Sequence, residues 1–244
     1  MDTRPTIMVI GATRGTGMDV AWLLPRYGYE LLILSRDGQK ARELFTRRAQ
    51  IRVGDITQRD TIQNAFCDVE HVILTVGVPQ WVCREEQIRE VEYQGTCNAI
   101  EAALKAQLPG RLVYMSWIGL GQPSLWCWLQ DRLKPHQTQW RSRAEEALRS
   151  SGLNYTIVRA GLLSNAPVGM HPVRLDQRPL PLGLRCRSGR MDTALAMIHS
   201  LARPTANRAT FNVYWGPGDQ ADKAWKDQFD QLQPDLPAAQ AGQI

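Results

Sequence analysis

The sequence predicts an α/β fold, a doubly wound parallel sheet within a single domain, on three observations. Short apolar runs alternate with longer amphipathic segments, as parallel strands alternate with their crossover helices. The runs are continuous Val/Ile/Leu stretches, the pattern of strands covered on both faces. Glycines cluster directly after the first run, at Gly11, Gly15 and Gly17.

Thr6 to Ile10 is rich in β-branched and apolar residues and stops at glycine, so it reads as the first strand. From about Gly15 to Tyr27 the pattern becomes helical. Glu30 to Ser35 follows as a strand, Asp37 to Arg48 as a helix, Ile51 to Val53 as a short strand and Thr57 to Phe66 as a helix. His71 to Val76 is the fourth strand and leads into a long helical stretch, Arg84 to Ala106. Leu112 to Ser116 is the fifth strand, Trp140 to Ser151 a helix with a Ser-Gly stop, and Tyr155 to Arg159 the sixth strand. Residues 162–188 carry Pro167, Pro172, Pro179 and Pro181 among scattered charges, which predicts a loop-rich excursion of the kind that carries substrate contacts. A helix at Met191 to Ala202 and a last strand at Thr210 to Tyr214 complete the pattern. Residues 1–217 thus read as the domain, with 162–188 as its substrate-side loops. Residues 218–244 read as a tail with one short helix, on which Trp225, Phe229 and Leu232 share an apolar face, and with fraying from Pro234 onward.

Composition narrows the function classes. A chain of 244 residues that is 43% hydrophobic fills one core. The 29 Lys and Arg against 24 Asp and Glu give a net charge of +5, too small an excess for a dedicated nucleic-acid binder. Apolar runs such as Leu31 to Leu34 fall far short of the roughly 20 residues of a membrane span, and the start has no secretion-signal pattern. Cys67, Cys83, Cys97, Cys127 and Cys186 are odd in number and form no CxxC, which argues against a disulfide framework and a metal site and for a reducing cytoplasm.

The stretch Gly11-Ala-Thr-Arg-Gly-Thr-Gly17 lies between a predicted strand and a predicted helix, where backbone turns tightly and approaches a pyrophosphate. This is the Rossmann-like arrangement. Thr13, Arg14 and Thr16 stand among the glycines as candidate cofactor contacts. Further stretches complete a likeness: Gly54-Asp55-Ile56, Val91-Glu-Tyr-Gln-Gly-Thr96, Val113-Tyr-Met-Ser116, Ala144-Glu145 and Ser151-Gly-Leu-Asn-Tyr-Thr-Ile-Val-Arg159. Through them the chain, from about Thr6 to Tyr214, resembles the short-chain dehydrogenase/reductase superfamily. Within it the resemblance is to the atypical NAD(P)-binding branch of NmrA-like proteins and flavin/biliverdin reductases. The resemblance implies that Asp55 and Ile56 flank the adenine, and that Thr75 to Val78, Gly77 included, pass beside the ribose and nicotinamide. The branch usually has glycines three apart, whereas here Gly15 and Gly17 bracket Thr16.

An acid at the end of the second strand repels a ribose 2′-phosphate, while an arginine there favours it. Here the strand ends Ser35-Arg36, and with Arg14 two guanidinium groups are available to one phosphate, so NADP(H) is the expected cofactor. Two solvated surface arginines beside Asp37 are the plainer account of the same residues.

Most of the superfamily uses a Tyr-x-x-x-Lys helix for proton transfer. Counting back from Tyr155, the lysine position holds Arg141 and the tyrosine position Gln137. Arg141 remains a candidate for a cofactor ribose or phosphate. Three readings stand: a reductase whose substrate takes its proton from solvent or another group, an NADP(H)-binding regulator or sensor of the NmrA-like kind, and a redox-neutral isomerase or cyclase. For the reductase, Ser116 is the residue that would polarise the substrate and His136 the proton donor. Trp117, Trp126, Trp128 and Trp140 border the crevice at the strands' carboxyl ends, which predicts a pocket for an aromatic or hydrophobic small molecule. Core packing and a partner interface are the alternatives for these indoles. The predicted assembly is a monomer or a homodimer.

Overall fold

The path of the chain through its sheet explains where a crevice opens. The computed structural model describes residues 4–78, 83–217 and 225–236. The strands are β1 (Thr6–Ile10), β2 (Glu30–Ser35), β3 (Gln50–Val53), β4 (His71–Leu74), β5 (Leu112–Trp117), β6 (Tyr155–Ala160), β7 (Leu162–Ser164), β8 (Val173–Asp176), β9 (Arg187–Gly189) and β10 (Ala209–Trp215). Eight of them form one sheet in the order β3-β2-β1-β4-β5-β6-β10-β8, parallel except for β8 against β10. The chain moves outward from β1 to β3, then returns to the other side of β1 at β4. The crossovers on either side of this reversal leave toward opposite faces, so a crevice opens beyond Ile10 and Leu74.

The helices are α1 (Gly15–Leu23), α2 (Gly38–Phe45), α3 (Arg59–Ile62), α4 (Glu85–Ile88), α5 (Gly95–Lys105), α6 (Leu125–Leu133), α7 (Gln137–Arg149) and α8 (Arg190–Leu201). Alternation along the strands divides the core. Ile7, Val9, Ile33, Val113 and Val158 face residues of α1 and α8, while Met8, Leu32, Leu74, Leu112, Tyr114 and Ile157 face α3, α5 and α7. No helix among the described residues is long and apolar enough to cross a membrane.

Several expectations need correction. The first helix stops at Leu23 and tightens into a 3₁₀ turn, Leu24–Tyr27, where Pro25 supplies no N–H to continue an α ladder. The long stretch from residue 84 is α4, a π turn over Arg89–Gln94, and α5. An additional helix, α6, fills the segment after β5, and the excursion at 162–188 contributes β7, β8 and β9. Of the tail, residues 225–236 are described and are docked on the domain through Asp235, while the fraying expected over 237–244 lies outside the described residues. A 3₁₀ turn at Trp225–Gln231 places Trp225, Phe229 and Leu232 in the α1/α8 core, and Asp235 binds Thr210 N at 3.0 Å.

Candidate functional site

At the β1 end the sequence requires small residues. A Cβ on Gly17 would stand 2.3 Å from the Gly11 carbonyl oxygen and from Thr75 Oγ1, so only glycine lets α1 start this close to β1 and β4. Gly15 has a φ of +54°, the left-handed region. Thr75 fixes the other lip by donating from N and Oγ1 to the Ile10 carbonyl at 2.9 and 3.0 Å. The N-terminus of α1 has no side-chain cap and no acid in its first turn, leaving its backbone N–H groups free for an anion.

From this point a cleft of about 450 Å³ runs over the ends of β1, β2, β3 and β4. Gly11, Thr13, Arg14, Arg36, Asp55, Ile56, Thr75 and Gly77 line it, as does Lys40, which the sequence reading missed. Arg14 and Arg36 are close: burial first, then the Arg36 charge, lowers the Arg14 guanidinium below its ordinary value. The Asp37 carboxylate is turned onto α2, where its Oδ1 caps the helix by accepting from Lys40 N at 2.9 Å. Asp55 turns its carboxylate on Thr57, accepting from N and Oγ1 at 2.9 Å each. Ile56 is buried at 6% exposure, and its carbonyl accepts from Asn98 Nδ2 at 2.7 Å.

Beyond Thr75, three successive carbonyls are held by three cations from three parts of the chain. Arg141 Nη2 reaches Val76 O at 3.2 Å, Arg14 Nη2 reaches Gly77 O at 3.5 Å, and Lys134 Nζ reaches Val78 O at 2.6 Å. The Val78 N–H donates to Glu92 Oε1 at 3.0 Å. Glu92 has no exposed surface and also accepts from Arg141 Nε at 2.7 Å and from Gln137 Nε2 at 2.6 and 2.8 Å. Burial alone would lower the Arg141 guanidinium, but the Glu92 charge raises it above its ordinary value. Both positions read as replacements for the tyrosine and lysine therefore meet on one buried carboxylate.

The remaining predicted residues do not gather over this cleft, and none of Ser116, His136 and the four tryptophans lines it. Ser116 is 1% exposed, its Oγ has no partner at hydrogen-bond distance, and it lies close enough to Glu145 to help keep that acid ionised. His136 precedes α7 with a φ of +57° and an exposed side chain, 4.0 Å from Glu85. Trp140 Nε1 donates to the same Glu85 at 3.0 Å while its ring meets Tyr93. Trp117 lies beside Arg141, 5.9 Å from guanidinium carbon to ring centre. Trp126 and Trp128 are exposed on α6. Glu92 and Lys134 escaped the sequence reading. The π turn that brings Glu92 inward breaks the helical period, and Lys134 lies just past a helix that was not predicted.

A glycine turn at the strand-order reversal, an uncapped helix start and a cationic cleft define a dinucleotide-binding protein. The chain belongs to the NAD(P)H-binding family, whose model matches residues 11–204. The residues present fit that cofactor: Thr16 Oγ1, buried in the first turn of α1, has no hydrogen-bond partner, and the adjoining N–H groups lack a cap. Two curated relatives are the chloroplastic protein TIC 62 of Oryza sativa subsp. japonica, 26% identical over 173 residues, and that of Pisum sativum, 25% identical over 178. Each match covers 64% of this chain but only 34% and 32% of those proteins, so the chain spans about a third of their length. Among solved structures, a putative NAD-dependent epimerase/dehydratase from Bacillus halodurans is similar with a TM-score of 0.78 at 22% identity, over 93% of this chain and all of that one. A short-chain dehydrogenase/reductase from Veillonella parvula in complex with NADP gives 0.71 at 20% identity, covering 89% and 97%. ChuY, an anaerobillin reductase from Escherichia coli O157:H7, gives 0.67 at 23%, covering 87% and 100%. These structures share the fold.

Proposed function

We propose that the protein is an NADP(H)-dependent reductase that acts on an aromatic or hydrophobic small molecule without a Tyr-x-x-x-Lys pair. One observation carries the cofactor choice: Arg14, Arg36 and Lys40 converge at the end of β2, where a ribose 2′-phosphate lies in this fold, while the Asp37 carboxylate is turned onto α2. When bound, NADPH supplies a hydride. The chain's own part is to position and to shield. Thr75 and Gly77 form the lip beside the ribose and nicotinamide, Arg141 and Glu92 hold that lip rigid, and the Trp117 indole borders the carboxyl end of β5. The acceptor takes its proton from solvent in this reading, because Gln137 and Arg141 are engaged by Glu92 and His136 stands at the outer surface. The likeness in fold to an anaerobillin reductase supports the reductase class.

A second reading is an NADP(H)-binding regulator, favoured by that same engagement of Gln137 and Arg141 and by the dispersal of the indoles away from the cleft. Incubating protein and NADPH with flavins, quinones, enones and tetrapyrroles, while following nicotinamide absorbance, separates the two. Oxidation with one acceptor, slowed by Trp117→Ala, is expected of the reductase. Tight NADPH binding with no oxidation by any acceptor supports the regulator, and a changed substrate beside intact NADPH supports a redox-neutral enzyme.

A further inference from the structure

The start of α8 lies against the start of α1. Arg190, the first residue of α8, brings Nε to 3.8 Å from where a Cβ on Gly15 would stand. The only hydrogen bond of its side chain among the described residues runs from Nη1 to Asn165 Oδ1, a neutral acceptor, at 2.6 Å. No carboxylate among the described residues stands within 4.0 Å of it, although Asp19 on α1 is near enough for the Arg190 charge to oppose the upward push of burial on that acid. Arg14, the other cation of the glycine turn, leans away toward Gly77 and Arg36. The uncapped N–H groups of α1 and the unpartnered Thr16 hydroxyl thus stand at a helix start beside which α8 brings a guanidinium that makes no salt bridge among the described residues.

We propose that Arg190 is a binding residue for the cofactor's diphosphate, reaching it from outside the strand–turn–helix unit, and that it ties cofactor occupancy to the loop 165–171. A diphosphate carries charge that a guanidinium meets with two parallel N–H groups, and the Asn165 contact, made through Nη1, leaves the parallel pair on Nε and Nη2 available. The loop hangs on the same helix turn at a second point. Asp192, 2% exposed, accepts from Trp215 Nε1 at 2.8 Å and lies near enough to the Gly169 backbone for that N–H to favour its ionised form, and His171 packs on Trp215 with 4.3 Å between ring centres. An anion that fixes Arg190 thus fixes the first turn of α8 and, through Asn165, the beginning of the loop. The inference rests on NAD(P)H binding alone and not on the preference for NADP(H) or on catalysis, since both dinucleotides share the diphosphate.

Titration calorimetry of Arg190→Gln with NADPH, NADH and adenosine 2′-monophosphate tests it, with circular dichroism to verify folding. Glutamine keeps a planar hydrogen-bonding head for Asn165 and removes the charge; Arg190→Lys, which keeps the charge, serves if the glutamine variant fails to fold. The glutamine variant is expected to bind NADPH and NADH about tenfold more weakly by the same factor and the monophosphate as the natural protein does. Arg190→Lys is expected to show a smaller equal loss for both dinucleotides. Hydrogen exchange of residues 165–171 is expected to slow on NADPH binding in the natural protein and to slow less in either variant at saturating NADPH. Unchanged affinity for both dinucleotides overturns the diphosphate role. A loss confined to NADPH overturns it too, since Arg190 would then serve the 2′-phosphate. Exchange in 165–171 that is indifferent to NADPH overturns the coupling.

Discussion

Arg141 donates from Nε to Glu92 Oε2 at 2.7 Å, joining a helix position that holds lysine in most members of the superfamily the sequence resembles to a carboxylate with no exposed surface. Through Val78 N and Val76 O the pair also holds the lip of the cofactor cleft. Glu92→Ala leaves a nearly buried guanidinium without its counter-charge and is expected to cost about 3–5 kcal/mol in urea unfolding. Replacing both residues by methionine is expected to cost less than the sum of the single changes, and NADPH affinity should drop in all three variants.

Burial alone would raise the Glu145 carboxyl, but hydrogen bonds and charge from Arg159, then the Arg149 charge, hold it below its ordinary 4.5. Its contribution is therefore present above that pH and lost as pH falls through the depressed folded value. Glu145→Gln is expected to be less stable by about 3–5 kcal/mol at pH 7. Urea midpoints taken down to acid pH should show the gap to the natural protein closing below pH 4.5 and not before.

His71 acts in a different window. Burial first, then the Arg111 charge, lowers its imidazole from 6.5 to about 4, while Nδ1 accepts from Arg111 N at 2.9 Å. The unfolded chain binds this proton near pH 6.5 and the folded chain refuses it until about pH 4, so stability is full above the window and declines across it. The decline from this residue is roughly 3 kcal/mol. His71→Asn is expected to flatten the pH dependence of unfolding across that window, leaving the part contributed by His199, which is also lowered to about 4.

Phe229 is fully buried against Phe211, and Asp235 accepts from Tyr155 OH at 3.0 Å and Thr210 Oγ1 at 2.6 Å. Phe229→Ala is expected to cost about 3–5 kcal/mol by urea unfolding. A cost below about 1 kcal/mol would mean that residues 225–236 do not belong to the core.

Much of this was legible in the sequence because it is local. The runs at residues 6–10, 30–35 and 155–159 declare themselves as strands, and Gly17 declares the close approach it permits. Arg36 was legible too, since its place depends only on where β2 ends. What was hidden depends on long-range pairing or broken period. The π turn buries Glu92, β8 exists because β10 offers an edge, and Asp235 docks on residues 80 and 25 positions away. The arrangement of the tryptophans was not legible for a related reason: nearness in sequence between residues 117 and 140 does not survive the insertion of α6, which turns Trp126 and Trp128 outward.

Arg14 and Arg36 are proposed to select a 2′-phosphorylated cofactor, and titration calorimetry with NADPH and NADH distinguishes that choice from its absence. NADPH is expected to bind at least about tenfold more tightly than NADH, with that preference lost in Arg36→Asp, consistent with roughly 1.5–3 kcal/mol for a charged hydrogen bond. Equal affinity for the two dinucleotides in the natural protein, or a preference that Arg36→Asp leaves intact, would contradict it.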